Sequence, residues 1–304
     1  MIRSLLLISI FVTVNTFAQS NCLLLNQSTL ARDRIVSEQR NSYNPEGKIT
    51  EEWRLNSVDL DQTYTSKKTF EYNDKGYLIK ITDYLNDEFR TVKNLNYNNL
   101  GKLISETQSN EPSGTKALTF QISLNGTSEK LFYGNANEVT GKEISIKNEK
   151  GDIIRYEIRN AQGEVNHATS YLYNDLNQAI YVLKDDVVGH MKEETHSSYN
   201  SSRLIDIDST FLNKRLIGKT LYQHTNGFLS SKTKIDRDNK VEYEISYTNN
   251  TKGLNLEEKF SYHGELINSI KRTYDIHDNL VMEERFNTQN QLLQTKNWEY
   301  SCPN

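Results

Sequence analysis

The segment HMKEETH at residues 190–196 is the one local group of side chains that could bind a metal ion. On a strand, alternate residues point to one face, so His190, Lys192, Glu194 and His196 would share a face and offer imidazole and carboxylate ligands. An extended strand, however, separates His190 from His196 by about 20 Å, so one ion cannot bind both. A solvated strand face is the preferred interpretation, and we predict no metal and no cofactor.

Pairs of carboxylates offer a second kind of chemistry, at Asp206 with Asp208 and at Asp236 with Asp238. Asp236, Asp238 and Glu242 carry oxygen ligands of the kind that calcium prefers, but they fall on an ordinary repeat turn. Glycosidases need two carboxylates across a cleft, and sequence spacing cannot show that arrangement. The sequence has no GxSxG nucleophile elbow, phosphate-binding loop or dinucleotide fingerprint. We predict no catalytic residue, and an exported hydrolase with an Asp/Glu pair in a groove of the sheet is the alternative function.

The two cysteines, Cys22 and Cys302, stand near opposite ends of the sequence. The first residues, MIRSLLLISIFVTVNTFAQSNC, combine an arginine, a short apolar run and small residues before Gln19, which is typical of a signal peptide over 1–18. Because exported cysteines are usually oxidised, a Cys22–Cys302 disulfide is expected, with free or intermolecular thiols as the alternative. No later apolar run is long enough for a transmembrane segment. An exported location is predicted: periplasmic, cell-surface or extracellular.

Charge and hydropathy exclude several classes of protein. Charged residues make up 25% of the chain, the net charge is −4, and the two signs are interspersed, so nucleic acid is not an expected partner. The hydrophobic fraction of 36% and the mean hydropathy of −0.72 are too low for a thick core. The 18 tyrosines and the regular alternation of apolar and polar residues argue against disorder. A thin, extended β-structure with much of its surface in water fits both observations.

A short phrase recurs along the chain: an aromatic residue, Asn or Asp, two polar residues, Gly or Asn, and later an aliphatic residue, as in YNDKGYL at 72–78. The Asn or Asp can bond its own backbone two residues on, and the fifth position must accept a positive φ angle. The phrase therefore predicts a turn. The predicted turn residues are Gly47, Gly76, Gly101, Asn137, Gly151, Gly163, Asn177, Gly227, Asn239 and Asn290.

Between the turns, apolar and polar residues alternate with period two, as in VEYEISY at 241–247. From Asn137 to Asn290 a turn residue returns about every 12 to 13 positions, which predicts strands of about 8–9 residues joined as consecutive antiparallel hairpins. The predicted fold is therefore all-β, with repeated antiparallel β-hairpins that form an extended, twisted single-layer meander or a solenoid-like sheet.

The repeats also predict how the chain is organised. We expect an N-terminal segment with the first strand at 19–40, hairpin repeats at 41–300 and a C-terminal tail at 301–304. The stretch 105–130 is irregular, although LTFQISL at 118–124 within it alternates as a strand does.

The phrases TFEYNDKGYLIKITD at 69–83 and NLNYNNLGKLISETQ at 94–108 resemble the YD repeats of rearrangement-hotspot (RHS) and teneurin-type proteins. In those repeats a Tyr–Asp or Tyr–Asn turn is followed by Gly and an aliphatic strand. The resemblance covers most of residues 41–300 in a short, degenerate form. It implies a shared β-hairpin architecture, which in large RHS-type proteins coils into a shell that can enclose a polypeptide.

The tyrosines divide into two groups by their place in the repeat. Those at one repeat position are expected to stack between neighbouring hairpins and stabilise the sheet. They are Tyr43, Tyr72, Tyr97, Tyr173 and Tyr247. Tyr77, Tyr84 and Tyr181 lie outside that register and are the candidates for contact with a ligand.

Regular repetition without a catalytic motif favours a secreted, non-enzymatic β-repeat scaffold or binding protein at the cell envelope. Its expected ligand is an unknown polypeptide or a glycan. Strands at the edges of a sheet present unpaired backbone groups, so self-association or strand pairing through those edges is a further alternative.

Overall fold

The computed structural model of the protein describes residues 22–31, 34–59, 62–109, 118–122, 127–133 and 138–302. In these residues the chain forms 22 β-strands and no helix, so the all-β prediction is confirmed, and no membrane-spanning helix occurs there. The predicted signal peptide over 1–18 lies outside the described residues. The strands are β1 (Leu23–Ala31), β2 (Arg34–Tyr43), β3 (Ile49–Asp59), β4 (Gln62–Tyr72), β5 (Leu78–Leu85), β6 (Glu88–Tyr97), β7 (Leu103–Ser109), β8 (Leu118–Ile122), β9 (Thr127–Tyr133), β10 (Val139–Lys147), β11 (Ile153–Asn160), β12 (Val165–Tyr173), β13 (Ala179–Asp186), β14 (Met191–Tyr199), β15 (Ile205–Leu212), β16 (Arg215–Thr225), β17 (Phe228–Asp236), β18 (Val241–Asn249), β19 (Asn255–Tyr262), β20 (Glu265–Tyr274), β21 (Leu280–Phe286) and β22 (Leu292–Ser301).

The strands form one open antiparallel sheet in which chain neighbours are also sheet neighbours. The first and last strands pair as well, with Leu23 opposite Ser301. The ladder therefore runs from β8 to β22, continues through β1, and ends at β7. No ladder pair joins β7 to β8 in the described residues, although the two strands lie next to each other. The meander is confirmed, and the pairing of its two ends is an addition that the hairpin pattern did not predict.

A five-residue turn built around one Asn or Asp joins many of the strands. After β4, the backbone N–H of Asn73 donates to the carbonyl of Tyr77, and the N–H of Gly76 donates to the carbonyl of Asn73. Asn73 Oδ1 accepts two more hydrogen bonds, from the N–H groups of Lys75 and Tyr77 at 3.1 and 2.9 Å. This closure places Gly76 at a φ of +77°, which glycine adopts without a steric penalty.

The same backbone pattern recurs along the described chain. It begins at Asn44, Asn73, Asn98, Asn148, Asn160, Asn174, Asn200, Asp236, Asn250, Asp275 and Asn287. Its fourth residue has a positive φ in every case, and eight of the predicted turn residues hold that place. These eight are Gly47, Gly76, Gly101, Gly151, Gly163, Asn177, Asn239 and Asn290.

Two predicted turn residues differ from this group. Gly227 has a φ of +83°, but it is the second residue of a two-residue turn between β16 and β17. Asn137 lies outside the described residues. Asn86 and Asn213 begin two further two-residue turns, which the phrase did not predict because they lack its aromatic residue and its spacing.

Six tyrosines at the ends of even-numbered strands each connect the five-residue turn that follows to the neighbouring strand. The hydroxyl donates across the ladder to the carbonyl of the first residue or the second residue of the preceding strand, at 2.7–3.0 Å. The pairs are Tyr43 to Leu24, Tyr72 to Ile49, Tyr97 to Leu78, Tyr173 to Ile153, Tyr199 to Ala179 and Tyr274 to Asn255. The hydroxyl of the repeated tyrosine therefore makes a cross-strand hydrogen bond that the sequence did not predict. Of these tyrosines, Tyr97 and Tyr173 also stack on another tyrosine ring.

Tyr247, assigned by sequence to this position, does not occupy it. It lies within β18, and Asn249 stands directly before the turn that begins at Asn250. Asn249 Nδ2 donates to the carbonyl of Leu229 at 2.8 Å, so an amide makes the bond that a tyrosine hydroxyl makes elsewhere.

The sheet has a thin interior. Val92 and Ala168 are the buried apolar residues of the described chain. The other buried side chains are polar and mostly small: Thr29, Thr82, Ser109, Glu157, Thr220, Ser231 and Ser269. With so little apolar burial, the fold depends on the backbone ladder and on contacts between cross-strand neighbours.

Candidate ligand-binding cavity

A cavity of about 390 Å³ lies where the turn after β4 meets the turn after β6. The two turns are adjacent because β4, β5, β6 and β7 pair in chain order, which brings the ends of β4 and β6 to the same end of the sheet. The volume falls in the lower part of the range for small-molecule sites, roughly 300–1,000 Å³. The cavity is lined by Asn73, Asp74, Lys75, Tyr77, Ile79, Leu95, Asn96, Tyr97, Asn98 and Asn99.

Two stacked tyrosines form the aromatic part of the cavity. The rings of Tyr77 and Tyr97 have centroids 5.1 Å apart and planes 23° apart. Tyr97 is held in place by the hydrogen bond from its hydroxyl to the carbonyl of Leu78, at 2.9 Å. Tyr77 crosses from its own turn to the next one and lies against Gly101, where a Cβ would overlap its ring and hydroxyl. Both rings are therefore positioned before any ligand arrives.

The two turn-initiating asparagines of this cavity have unpaired amide nitrogens, as do Asn44, Asn200 and Asn250 among the described turns. In four other turns this nitrogen donates to a side chain four residues further on. The pairs are Asn148 with Asp152, Asn160 with Glu164, Asn174 with Gln178 and Asn287 with Gln291. In the two turns of the cavity, the residues four positions after the asparagines are Tyr77 and Lys102, and neither side chain accepts this hydrogen bond. Asn73 Nδ2 and Asn98 Nδ2 have no acceptor among the described residues, so each is free to donate to a ligand.

The charge of the cavity is small and balanced. Asp74 and Lys75 are exposed at the tip of the turn after β4, and every other lining side chain is uncharged. Lys48 of the neighbouring turn is engaged elsewhere, because its Nζ donates to the carbonyl of Gly76 at 2.9 Å and lies 5.4 Å from the ring of Tyr72. Amide, phenol and apolar groups thus dominate the cavity, which suits an uncharged ligand.

Comparison with known proteins gives only distant structural likenesses. No family model and no curated protein matches the sequence. The crystal structure of TcdB2-TccC3-Cdc42 aligns with a TM-score of 0.43 and 11% identity, over 88% of this chain and 17% of that chain. A structure of TcdB2-TccC3 aligns with a TM-score of 0.41 and 12% identity, over 86% and 17%. A porin-like protein from Bacteroides uniformis aligns with a TM-score of 0.27 and 10% identity, over 83% and 96%.

The chain is assigned to no family. All three TM-scores are below 0.5, and the chain covers only 17% of each TccC3-containing chain.

The histidine segment at 190–196 does not bring its two histidines to one strand face. His190 has a φ of +54° and lies in the turn before β14, so it does not share a strand face with His196. His196 packs between the rings of Tyr181 and Phe211, and Tyr181 donates its hydroxyl to Glu194 at 3.1 Å. In the described residues no group of three His, Cys, Asp or Glu side chains could hold a metal ion.

The carboxylates singled out by sequence are held by other groups. Asp236 begins a turn, and its oxygen accepts from the N–H groups of Asp238 and Lys240 at 2.8 and 2.9 Å. Asp208 accepts the hydroxyls of Ser197 and Tyr222, at 2.6 and 2.8 Å. Burial first, and then the charge of Asp208, raise the pKa of Tyr222 far above its ordinary range. Tyr222 therefore stays protonated as the donor of this pair.

The predicted disulfide between Cys22 and Cys302 is present, with an S–S distance of 2.04 Å. It lies beside the first residue pair of the β1–β22 ladder, so it joins two strands that are already neighbours. It is at the same end of the sheet as the cavity, because β1 begins there and β22 ends there.

Tyr77 was named as a contact candidate by sequence, whereas Asn73 and Asn98 were noticed only as turn formers. A signal for them exists in the sequence. Four other turns have Asp, Glu or Gln at the place of Tyr77 and Lys102, and those residues accept the amide hydrogen bond of the turn. Three further turns have Lys48, Leu204 and Leu254 there, so the signal marks a free amide and does not by itself mark the cavity.

Proposed function

We propose that this protein is an exported, non-enzymatic β-repeat binding protein of the cell envelope that holds part of a glycan or polypeptide in the cavity between its β4 and β6 turns. The observation that carries the proposal is one cavity in which the stacked Tyr77–Tyr97 pair meets the unpaired amides of Asn73 and Asn98. Aromatic faces together with a few placed polar groups are the usual composition of a ligand site.

Two features of the chain support an envelope location. Disulfides persist in oxidising compartments, and Cys22 and Cys302 are bonded. The start of the sequence has the pattern of a signal peptide over 1–18. A thin sheet with little apolar core and a rim of rigid turns is well suited to presenting a site rather than to enclosing a reaction.

The test is retention of ligand by purified residues 19–304 on arrays of envelope glycans and of secreted polypeptides. Tyr77→Ala removes one ring of the stacked pair, and Tyr84→Ala is the matched control, because Tyr84 lies on β5 and packs against Phe89 outside the cavity. We expect the wild type and Tyr84→Ala to retain the same ligand and Tyr77→Ala to lose it. Equal retention by all three proteins, or no retention at all, would overturn the proposal.

A further inference from the structure

We infer that the ligand of the β4–β6 turn cavity is a neutral saccharide, which stacks a sugar ring against the Tyr77–Tyr97 pair and accepts hydrogen bonds from the amides of Asn73 and Asn98. This inference rests on the proposed binding function and narrows its two ligand classes to one.

The backbone around the cavity argues against a polypeptide strand as the occupant. Peptides commonly bind by adding a strand to a free sheet edge. Next to this cavity, β5 pairs with β4 on one side and with β6 on the other, and β6 also pairs with β7. No strand edge therefore opens into the cavity, which argues against a ligand that binds as an added β-strand.

The side chains match the chemistry of a sugar. One face of a pyranose ring presents C–H groups that can lie on an aromatic ring, and its hydroxyls and ring oxygen accept hydrogen bonds. Tyr77 and Tyr97 supply the aromatic surface, while Asn73 Nδ2 and Asn98 Nδ2 supply donors that have no protein acceptor among the described residues. Asn99 is exposed at the lip and adds a further amide.

Charge and size favour a neutral ligand of one or two rings. Asp74 and Lys75 carry opposite charges at adjacent positions, so the cavity has no net preference for an anion or a cation. The volume of about 390 Å³ is near the lower end of the range for small-molecule sites, roughly 300–1,000 Å³. A terminal or internal pair of sugars therefore fits better than a longer segment.

The chain itself provides a variant that removes a donor and keeps the turn. Asp fills the first turn position at Asp236 and Asp275, where its oxygen accepts the same backbone N–H bonds. Asn73→Asp should therefore fold normally while it loses the amide donor. The matched control is Asn250→Asp: the fourth residue after Asn250 is Leu254, so this amide is also free of an intrachain side-chain acceptor, but it lies away from the cavity.

The experiment is calorimetric titration of residues 19–304 with neutral gluco-, galacto-, manno- and N-acetylglucosamine oligosaccharides, with uronic acid oligosaccharides as the charged arm. We expect one neutral series to bind, Asn73→Asp to weaken it by about 5- to 10-fold, the range of one lost hydrogen bond, and Asn250→Asp to leave it unchanged. Tyr77→Leu should abolish it.

The outcomes separate this inference from the proposed function. Retention of a polypeptide that depends on Tyr77, with no oligosaccharide binding, would refute the saccharide and leave the binding function standing. Tighter binding of the uronic acid series, or equal weakening by Asn73→Asp and Asn250→Asp, would also overturn the inference. If the wild-type protein binds neither oligosaccharides nor polypeptides, the proposed function is refuted as well.

Discussion

Tyr77 occupies the space that a side chain on Gly101 would need, because a Cβ on Gly101 would overlap the phenolic oxygen and the ring of Tyr77. Gly101 also has a φ of +75°, a conformation that favours glycine on its own. The residue therefore has two separate reasons to be glycine, and only one of them concerns the cavity.

The two reasons can be separated by comparing Gly101→Ala with Gly163→Ala. Gly163 has a φ of +83° in the same type of turn, but a Cβ there would meet no atom within 4 Å. We expect Gly163→Ala to lower the free energy of unfolding by about 1–2 kcal/mol through backbone strain alone. Gly101→Ala should lower it further and should also weaken ligand binding, since Tyr77 must move. Urea unfolding and ligand titration of both variants test this, and equal effects on both measurements would show that Tyr77 does not depend on Gly101.

The repeated tyrosine hydroxyl should contribute measurably to stability. Tyr72 donates to the carbonyl of Ile49 at 2.9 Å, and burial raises the pKa of Tyr72. Tyr72→Phe removes this bond and leaves the ring, so we expect a loss of about 1 kcal/mol in urea unfolding. Tyr64→Phe is the control, because Tyr64 is exposed and its hydroxyl has no partner among the described residues. Identical unfolding midpoints for the two variants would contradict a stabilising role.

The sequence predicts the local part of this structure well. An Asn followed by Gly three residues later determines the turn locally, because the Asn side chain bonds the turn backbone and the Gly accepts a positive φ. The turn positions of Gly76 and Gly151 could therefore be predicted from the sequence. The alternation of apolar and polar residues in 241–247 likewise predicts strand β18. The role of Tyr72 could not be read in this way, because its acceptor, the carbonyl of Ile49, is 23 residues away and is set by strand register.

Features that join distant segments of the chain could not be predicted either, because they also depend on strand register. The pairing of Leu23 with Ser301 depends on how the sheet curves over 22 strands, and no short segment encodes that curvature. The cavity depends on the register that places Tyr77 beside Tyr97. The free amide of Asn73 could nevertheless be inferred from the sequence, because Tyr77 stands where four other turns have a side-chain acceptor.

Glu157 should make the protein sensitive to acid. Its side chain is 5% exposed and accepts hydrogen bonds from Arg155 at 2.6 Å and from Arg159 at 2.8 Å. Burial raises the pKa of Glu157, but the hydrogen bonds and charges of the two arginines outweigh burial, and the net pKa is lowered. A lowered folded-state pKa gives stability that is present above the unfolded pKa, about 4.3, and is lost as the pH falls through the folded value.

We therefore expect Glu157→Gln to lose about 2 kcal/mol at pH 7, the scale of a charged hydrogen bond. Its difference from wild type should shrink as the pH falls below about 4. Urea unfolding at several pH values measures this, with Glu46→Gln on an exposed turn as the control. A difference that stays constant down to pH 3 would mean that the Glu157 carboxylate is not the acid-sensitive group.

Tyr156 should make the protein sensitive to alkali. Burial, followed by the charge and hydrogen bond of Glu143, raises the pKa of Tyr156 to about 12. A raised folded-state pKa gives stability that is present below the unfolded value, about 10, and is lost as the pH rises through 12. Tyr156→Phe should therefore lose less stability than wild type between pH 10 and 12. Absorbance of ionised tyrosine against pH should show one late-titrating group fewer in the variant, and identical titrations would refute the assignment.

The Cys22–Cys302 disulfide should matter most to the unfolded chain. It closes a loop with a sequence separation of 280 residues, for which the chain-entropy model gives a stabilisation of about 5–6 kcal/mol as an upper value. The β1–β22 ladder already holds the two strands together in the folded state, so the double variant Cys22→Ser, Cys302→Ser should keep its fold and unfold at lower urea. Amide exchange at Leu23 and Ser301 should accelerate before exchange at β11 does. Reductant should reproduce the shift in wild type and leave the double variant unchanged; equal midpoints with and without the disulfide would show that the ladder alone fixes the chain ends.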